Sequence, residues 1–166
     1  MRKIIAIILC GLILTGCAAQ TQPPSTVQSE IIEPATTLTP ETTPIEIPVN
    51  IFVPDENAEH FNTIPTVIST ADAEEIVALL IEHSMLNTDI SLNKAEIVGN
   101  QLNLDFNKTF SDQLNTYGTS GERMMIGCVV NTFLSVYDAE TVYITINGEI
   151  MESGHVIYDF PMGFFE

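Results

Sequence analysis

The sequence predicts an α/β two-layer sandwich, with two helices packed on one face of a small, largely antiparallel sheet. Three observations carry that expectation. Apolar residues recur at helical spacing in two segments, one around residues 76–83 and one around 126–137. Two pairs of short alternating runs meet at Gly99-Asn100 and at Asn147-Gly148, both turn dipeptides suited to positive φ. The order along the chain is strand, helix, hairpin, helix, hairpin.

Val49–Val53 reads as a first strand ended by Pro54, followed by a polar loop over Asp55–Asn62 and a short extended piece from Pro65 to Ile68. Ser69 with Asp72 resembles a capping box, with Thr70 as the other candidate cap, before a helix whose face holds Ile76, Leu79, Leu80 and His83. His83 on that face reads as a partly buried, hydrogen-bonded histidine. Ala95–Val98 and Gln101–Phe106 form the first hairpin; Leu102, Leu104 and Phe106 alternate with Asn103 and Asp105, so one face is buried and the other wet. Asn107–Tyr117 reads as irregular or partly helical around Phe110 and Leu114.

Thr119 with Glu122 reads as a second capping box opening a helix to about Tyr137. Ile126, Val129, Val130, Phe133 and Tyr137 line one side, and Arg123, Gly127, Asn131 and Ser135 form a narrow opposite strip. Met124, Met125 and Val136 widen the apolar stripe beyond what a surface helix needs. Most of the helix is expected to be core, and the strip Met124, Met125 and Val136 is the candidate interaction surface. Thr141–Ile146 is a strand, Asn147-Gly148 its turn, Glu149–Met151 the return, and His155–Phe160 a last strand before Pro161.

The N-terminus carries different information. Arg2 and Lys3 precede eleven apolar residues, Ile4–Leu14, which as a helix would cover about 17 Å of a hydrocarbon layer about 30 Å thick. That is too short to span, and the pattern is that of a secretion signal. Leu14-Thr15-Gly16-Cys17 resembles the lipobox of bacterial lipoproteins, in which the thiol is acylated and the leader is cut before it. An ordinary secretory signal with an incidental cysteine is the competing reading. Residues 1–16 are thus expected to be a lipoprotein signal peptide. Cys17 is the expected lipidation site, bearing a covalent diacylglyceryl group and a fatty acyl chain such as palmitate. Two or more chains hold durably where one does not. The expected location is the extracytoplasmic face of the cell membrane.

Residues 17–48 are rich in Thr, Pro, Gln and Glu and lack aromatics, so they cannot bury enough surface to offset ordering entropy. They read as a tether of reach roughly 30 Å as a coil and about 90 Å if polyproline-like. Pro23, Pro24, Pro34, Pro40, Pro44 and Pro48 favour the longer figure. Residues 49–166 read as one domain, large enough to bury a core.

The whole chain carries a formal charge of −17. Without the leader, Lys94, Lys108 and Arg123 stand against 22 acidic residues, giving −19. Such a chain is a poor nucleic-acid binder and is repelled by anionic lipid, so lipid rather than charge is expected to hold it at the membrane. With Cys10 in the leader and Cys17 acylated, Cys128 is left alone and reads as a small buried hydrophobe.

Candidates for chemistry are few. His60, His83 and His155 lack partner spacing, and Gly118–Gly121 is explained by helix capping. Asp55, Glu56, Glu59 and His60 could offer oxygens to a hard cation, without the spacing of a calcium loop. Asp105 with Asp112 is the pair a wall hydrolase would need, but no tryptophan supplies a sugar platform. No catalytic residue, cofactor or metal site is assigned.

Leu102–Phe110, the helix containing Val130-Asn131-Thr132-Phe133, and Val142–Gly148 followed by Gly154-His155 resemble, in that order, the GerMN domain of sporulation and spore germination lipoproteins. The resemblance spans about residues 49–166 and is strongest in the second half. It implies a non-enzymatic envelope module, related in shape to ring-building domains, and carries over no catalytic residues. That family often has two copies of the domain, whereas this chain has room for one. The expected function is therefore an interaction module, binding envelope proteins, the peptidoglycan wall or a further copy of itself. A ligand- or cation-binding lipoprotein comes second, and a cell-wall hydrolase third.

Overall fold

The computed structural model describes residues 46–166; the leader, Cys17 and nearly all of the expected tether lie outside them. β1 (Ile47–Pro54) pairs antiparallel with β2 (Phe61–Ile68) along its whole length, from Ile47 opposite Ile68 to Pro54 opposite Phe61. β2 is twice as long as the extended piece expected at Pro65–Ile68. Its first half reads as loop because Asn62 and Thr63 are exposed, while Phe61 and Ile64 are half-buried. Pro65, which lacks a donor, is accommodated because this sheet has only two strands and β2 lies on its edge.

α1 (Ala73–Glu82) buries Ala73, Ile76, Val77 and Leu80. Its N-cap is Asp72 rather than Ser69 or Thr70, with no side-chain cap bond, and Thr70 Oγ1 instead donates to Glu75 at 2.8 Å. β3 (Leu92–Val98) and β4 (Gln101–Phe106) form the expected hairpin, with Gly99 at φ +63°. β3 begins three residues earlier than expected, beyond a bulge between Leu92 and Lys94 that the alternation pattern does not reveal. The segment expected to be irregular contains α2 (Lys108–Leu114), whose Phe110 stacks on Phe106 at 4.3 Å between centroids.

α3 (Thr119–Leu134) starts after Gly118 and leads back to β5 (Thr141–Ile146), which lies parallel to β4. β6 (Glu149–Glu152) returns through Asn147 and Gly148, at φ 52° and 82°, and β7 (Ile157–Tyr158) completes the order β3-β4-β5-β6-β7. The fold is α/β and mostly antiparallel, as expected, with a third helix and a separate two-stranded sheet added. β7 is shorter than the strand expected over His155–Phe160, because residues 153–156 form a tight turn, with Ser153 N–H donating to Val156 O.

The extra sheet explains the composition of α3. Every residue from Met124 to Phe133 is buried, all round the helix. One side meets the core that backs the five-stranded sheet, with Ile126, Val129, Val130 and Phe133 at 0 % exposure. β1 runs along another side, where Phe52 N–H donates to Thr132 Oγ1 at 3.0 Å and Asn50 N–H to Ser135 Oγ at 3.3 Å. The strip Met124, Met125 and Val136 is therefore not an open surface. Met124 and Met125 are 4 % and 5 % exposed, and Val136 is partly buried against the core. The chain's own hairpin and neighbouring loops cover the apolar surplus.

Gly127 sets how closely the ribbon approaches. A Cβ there would lie 2.4 Å from Phe61 Cζ and 3.2 Å from Phe165 Cβ. Gly127→Ala is expected to lower stability by about 1–3 kcal/mol through overpacking, read from the urea midpoint. Combining it with Phe61→Leu should recover part of the loss, and strict additivity of the two changes would contradict the contact.

Candidate functional site

The most developed polar cluster centres on Glu122, in the first turn of α3. Its side chain is 2 % exposed, which is costly for a carboxylate unless it is bonded. Ser153 Oγ and Tyr158 OH each donate to Oε1 at 2.6 Å, and His155 Nδ1 lies 2.9 Å from Oε2. Burial alone would raise the pKa of Glu122, but these hydrogen bonds and the imidazole outweigh it and hold the pKa below the usual value. Burial and the same carboxylate push the Tyr158 hydroxyl well above its ordinary range. Glu122 is thus no partner in a capping box; it ties the start of α3 to the turn between β6 and β7.

Serine, histidine and a carboxylate meet here, but in the wrong order for nucleophile activation. A triad places the imidazole between hydroxyl and acid. Here the carboxylate lies between the other two, and Ser153 Oγ also accepts from the backbone N–H of His155 and Val156 at 3.1 and 2.9 Å. The hydroxyl proton is directed to a carboxylate whose basicity is already lowered.

A second polar cluster lies on the sheet face away from α3. Asp105 Oδ1 accepts from Thr145 Oγ1 at 2.7 Å and from Gly148 N–H at 2.6 Å, and Oδ2 from Asn93 Nδ2 at 3.0 Å. Burial opposes ionisation of Asp105, but these bonds win and lower its pKa. The carboxylate pins the Asn147-Gly148 turn to the sheet. Around it, Lys94, Glu96, Asn103, Tyr143 and Thr145 line an open hollow of about 410 Å³. Asp112, the other member of the expected hydrolase pair, bonds Lys108 one turn away on α2.

The remaining candidates resolve in structural terms. Asp55 organises its own turn: its Oδ1 accepts the backbone N–H of Glu59 and His60 at 2.8 and 3.2 Å, and these bonds lower its pKa. They close the β1–β2 turn, in which Ala58 adopts φ 54°. Among the described residues no group of three or more His, Cys, Asp or Glu is placed to hold a metal ion. His83 is partly buried at the end of α1, and His155 is the one histidine brought to a carboxylate. Cys128 is fully buried, and burial pushes its thiol up to about 12, so it is inert at neutral pH. No helix of the described residues is long and apolar enough to cross a membrane.

Apolar side chains remain at the surface, among them Val67 on β2 and Ile150 on β6. β3 is an edge strand with Ile97 and Val98 exposed, and Ile157, Phe160 and Phe164 are exposed near the end of the chain. The Phe165 backbone is held by Asn131, which accepts its N–H at 2.8 Å and donates to its carbonyl at 2.9 Å. Arg123 sits over the Phe165 ring at 5.5 Å.

Glu122→Ala is expected to destabilise the domain by about 2–4 kcal/mol, because the Tyr158 and Ser153 hydroxyls lose a charged acceptor. Glu122→Gln keeps the shape and tests the charge. A carboxylate whose folded pKa is lowered adds stability above its unfolded value, near 4.5, that is lost as pH falls through the folded value. The stability gap between wild type and Glu122→Gln should therefore be widest at neutral pH and shrink below about pH 4.5. A gap independent of pH in urea titrations would contradict an ionised Glu122.

The sequence matches the Germane family, described as sporulation and spore germination, over residues 40–152. No curated protein matches the chain. Among solved structures, the tandem GerMN domains of the sporulation protein GerM from Bacillus subtilis superpose with a TM-score of 0.51 at 16% identity, over 72% of this chain and 45% of that one. The chain thus spans under half of that tandem structure. A candidate lipoprotein from Clostridium perfringens gives 0.49 at 12% identity, over 71% and 87% of the two chains. The first GerMN domain of GerM alone gives 0.46 at 15% identity, over 72% and 97%. The family match covers well over half of the sequence, and the fold agrees with that of the tandem structure: this chain belongs to the Germane family of sporulation and spore germination domains.

Proposed function

We propose that the chain is a lipoprotein, acylated on Cys17 and held on the extracytoplasmic face of the membrane. There its single GerMN-type domain acts as a non-catalytic interaction module in sporulation, germination or envelope assembly. The observation that carries this reading is a Germane-family match beginning at residue 40, downstream of an N-terminal segment that has the pattern of a secretion leader and ends in Leu14-Thr15-Gly16-Cys17. The polar clusters support the non-catalytic part. Glu122 and Asp105 satisfy backbone turns and neighbouring hydroxyls rather than converging on a reacting atom.

Crosslinking and pull-down of the intact protein from growing and sporulating cells test both halves. Wild type should fractionate with membranes and capture a defined set of envelope proteins, and Cys17→Ala should lose membrane attachment. Membrane retention of Cys17→Ala would rule out the lipid anchor. Absence of any protein partner in either growth state would refute the interaction module and shift attention to the wall polymer or a small ligand.

A further inference from the structure

Met124 and Met125 are closed off as an extended surface, yet both reach one small groove. It lies where the β1–β2 turn, the end of α1, the α2–α3 loop and the start of α3 meet. Ala58, Ser84, Met85, Tyr117, Met124 and Met125 line it, and its volume is about 180 Å³. Three of the chain's six methionines are thus gathered at one depression. Their unbranched thioether side chains adapt to differing apolar shapes. An engineered apolar cavity of about 150 Å³ accepts a benzene ring, so this groove has room for one aromatic or branched aliphatic side chain.

Charge selects what could bring that side chain. Asp55, Glu56, Glu59 and Glu82 occupy positions within two residues of the lining residues Pro54, Ala58 and Ser84. No lysine or arginine lines the groove. The nearest basic residue in sequence, Arg123, sits over Phe165 and donates to the Glu166 carbonyl. Lys94 and Lys108 pair with Glu96 and Asp112 on β3 and α2. An apolar, methionine-lined floor, with carboxylates at chain positions beside its walls, complements a basic segment with one apolar anchor.

We propose that this groove receives a single apolar anchor side chain from a basic segment of a partner protein. The inference rests on the interaction-module reading and names the surface and the partner chemistry that reading leaves open. Left-handed backbone at Ala58 and Ser84, φ 54° and 61°, shapes two of its walls, and Gln113 Nε2 donates to Tyr117 OH at 3.1 Å, steadying a third.

The test uses the full-length protein in detergent and a fluorescein-labelled lysine-rich peptide bearing one leucine, read by anisotropy. The leucine peptide should bind, and more weakly as salt rises. Replacing its leucine by serine should weaken binding by about tenfold or more, as should the double substitution Glu56→Lys with Glu59→Lys in the protein. Both glutamates are exposed, so the variant should fold, and an unchanged urea midpoint verifies it. Equal binding of the leucine and serine peptides, equal binding by the double variant, or no binding at all would overturn the proposal. Repeating the cellular crosslinking with the double variant separates the two readings. If wild type and variant capture the same envelope proteins, the groove proposal fails while the interaction module stands; if wild type captures none, the module reading fails as well.

Discussion

Everything in this domain depends on covering α3. A sixteen-residue helix with buried side chains around its whole circumference cannot be stable on one face of one sheet. The five-stranded sheet accounts for the side bearing Ile126, Val130 and Phe133, and another side would be left in water. The β1–β2 ribbon and the residues around Phe165 cover it, so that α3 becomes the centre of the domain rather than its outer layer. The seam is made by the strip Arg123, Gly127, Asn131 and Ser135, which looks like the polar back of an amphipathic helix. Each member has a tertiary partner: the Phe165 ring, Phe61, the Phe165 backbone and Asn50.

The polar joints follow from the same arrangement. Bringing the turn after β6 against the first turn of α3 buries a carboxylate, and that is tolerable only because hydroxyl donors from Ser153 and Tyr158 and the imidazole of His155 meet it. Asp105 does the equivalent work at the opposite sheet face, holding a turn in which both residues have positive φ. In both places acidic side chains are fastened within the structure and withdrawn from chemistry.

Closing the apolar surplus of α3 still leaves a small groove at Met124 and Met125. The expected strip and the observed groove share two residues, but their physical meaning differs. A strip along the helix would have suited an extended partner, whereas a depression bounded by the hairpin turn and Tyr117 admits one side chain. Its acidic surroundings then favour a basic partner over a second copy of a chain with formal charge −17.

The sequence alone determined what depends on near neighbours. Alternation in Leu102, Leu104 and Phe106 set the buried face of β4, Asn147-Gly148 set the turn between β5 and β6, and helical spacing located α1 and α3. Those signals survive because a strand's two faces and a helix's stripe are local consequences of backbone geometry. The order Leu102–Phe110, Val130–Phe133 and Val142–Gly148 was enough to point to the family. Tertiary structure decided the rest. Glu122 three residues after Thr119 satisfies the capping pattern, and only contact with residues 31 to 36 positions later turns it inward. The first half of β2 reads as loop because its pairing with β1 is its main reason to be a strand. Gly127 reads as helix-neutral until Phe61 arrives, and the methionine strip reads as surface until the hairpin covers it, because burial is a property of what else the chain brings near.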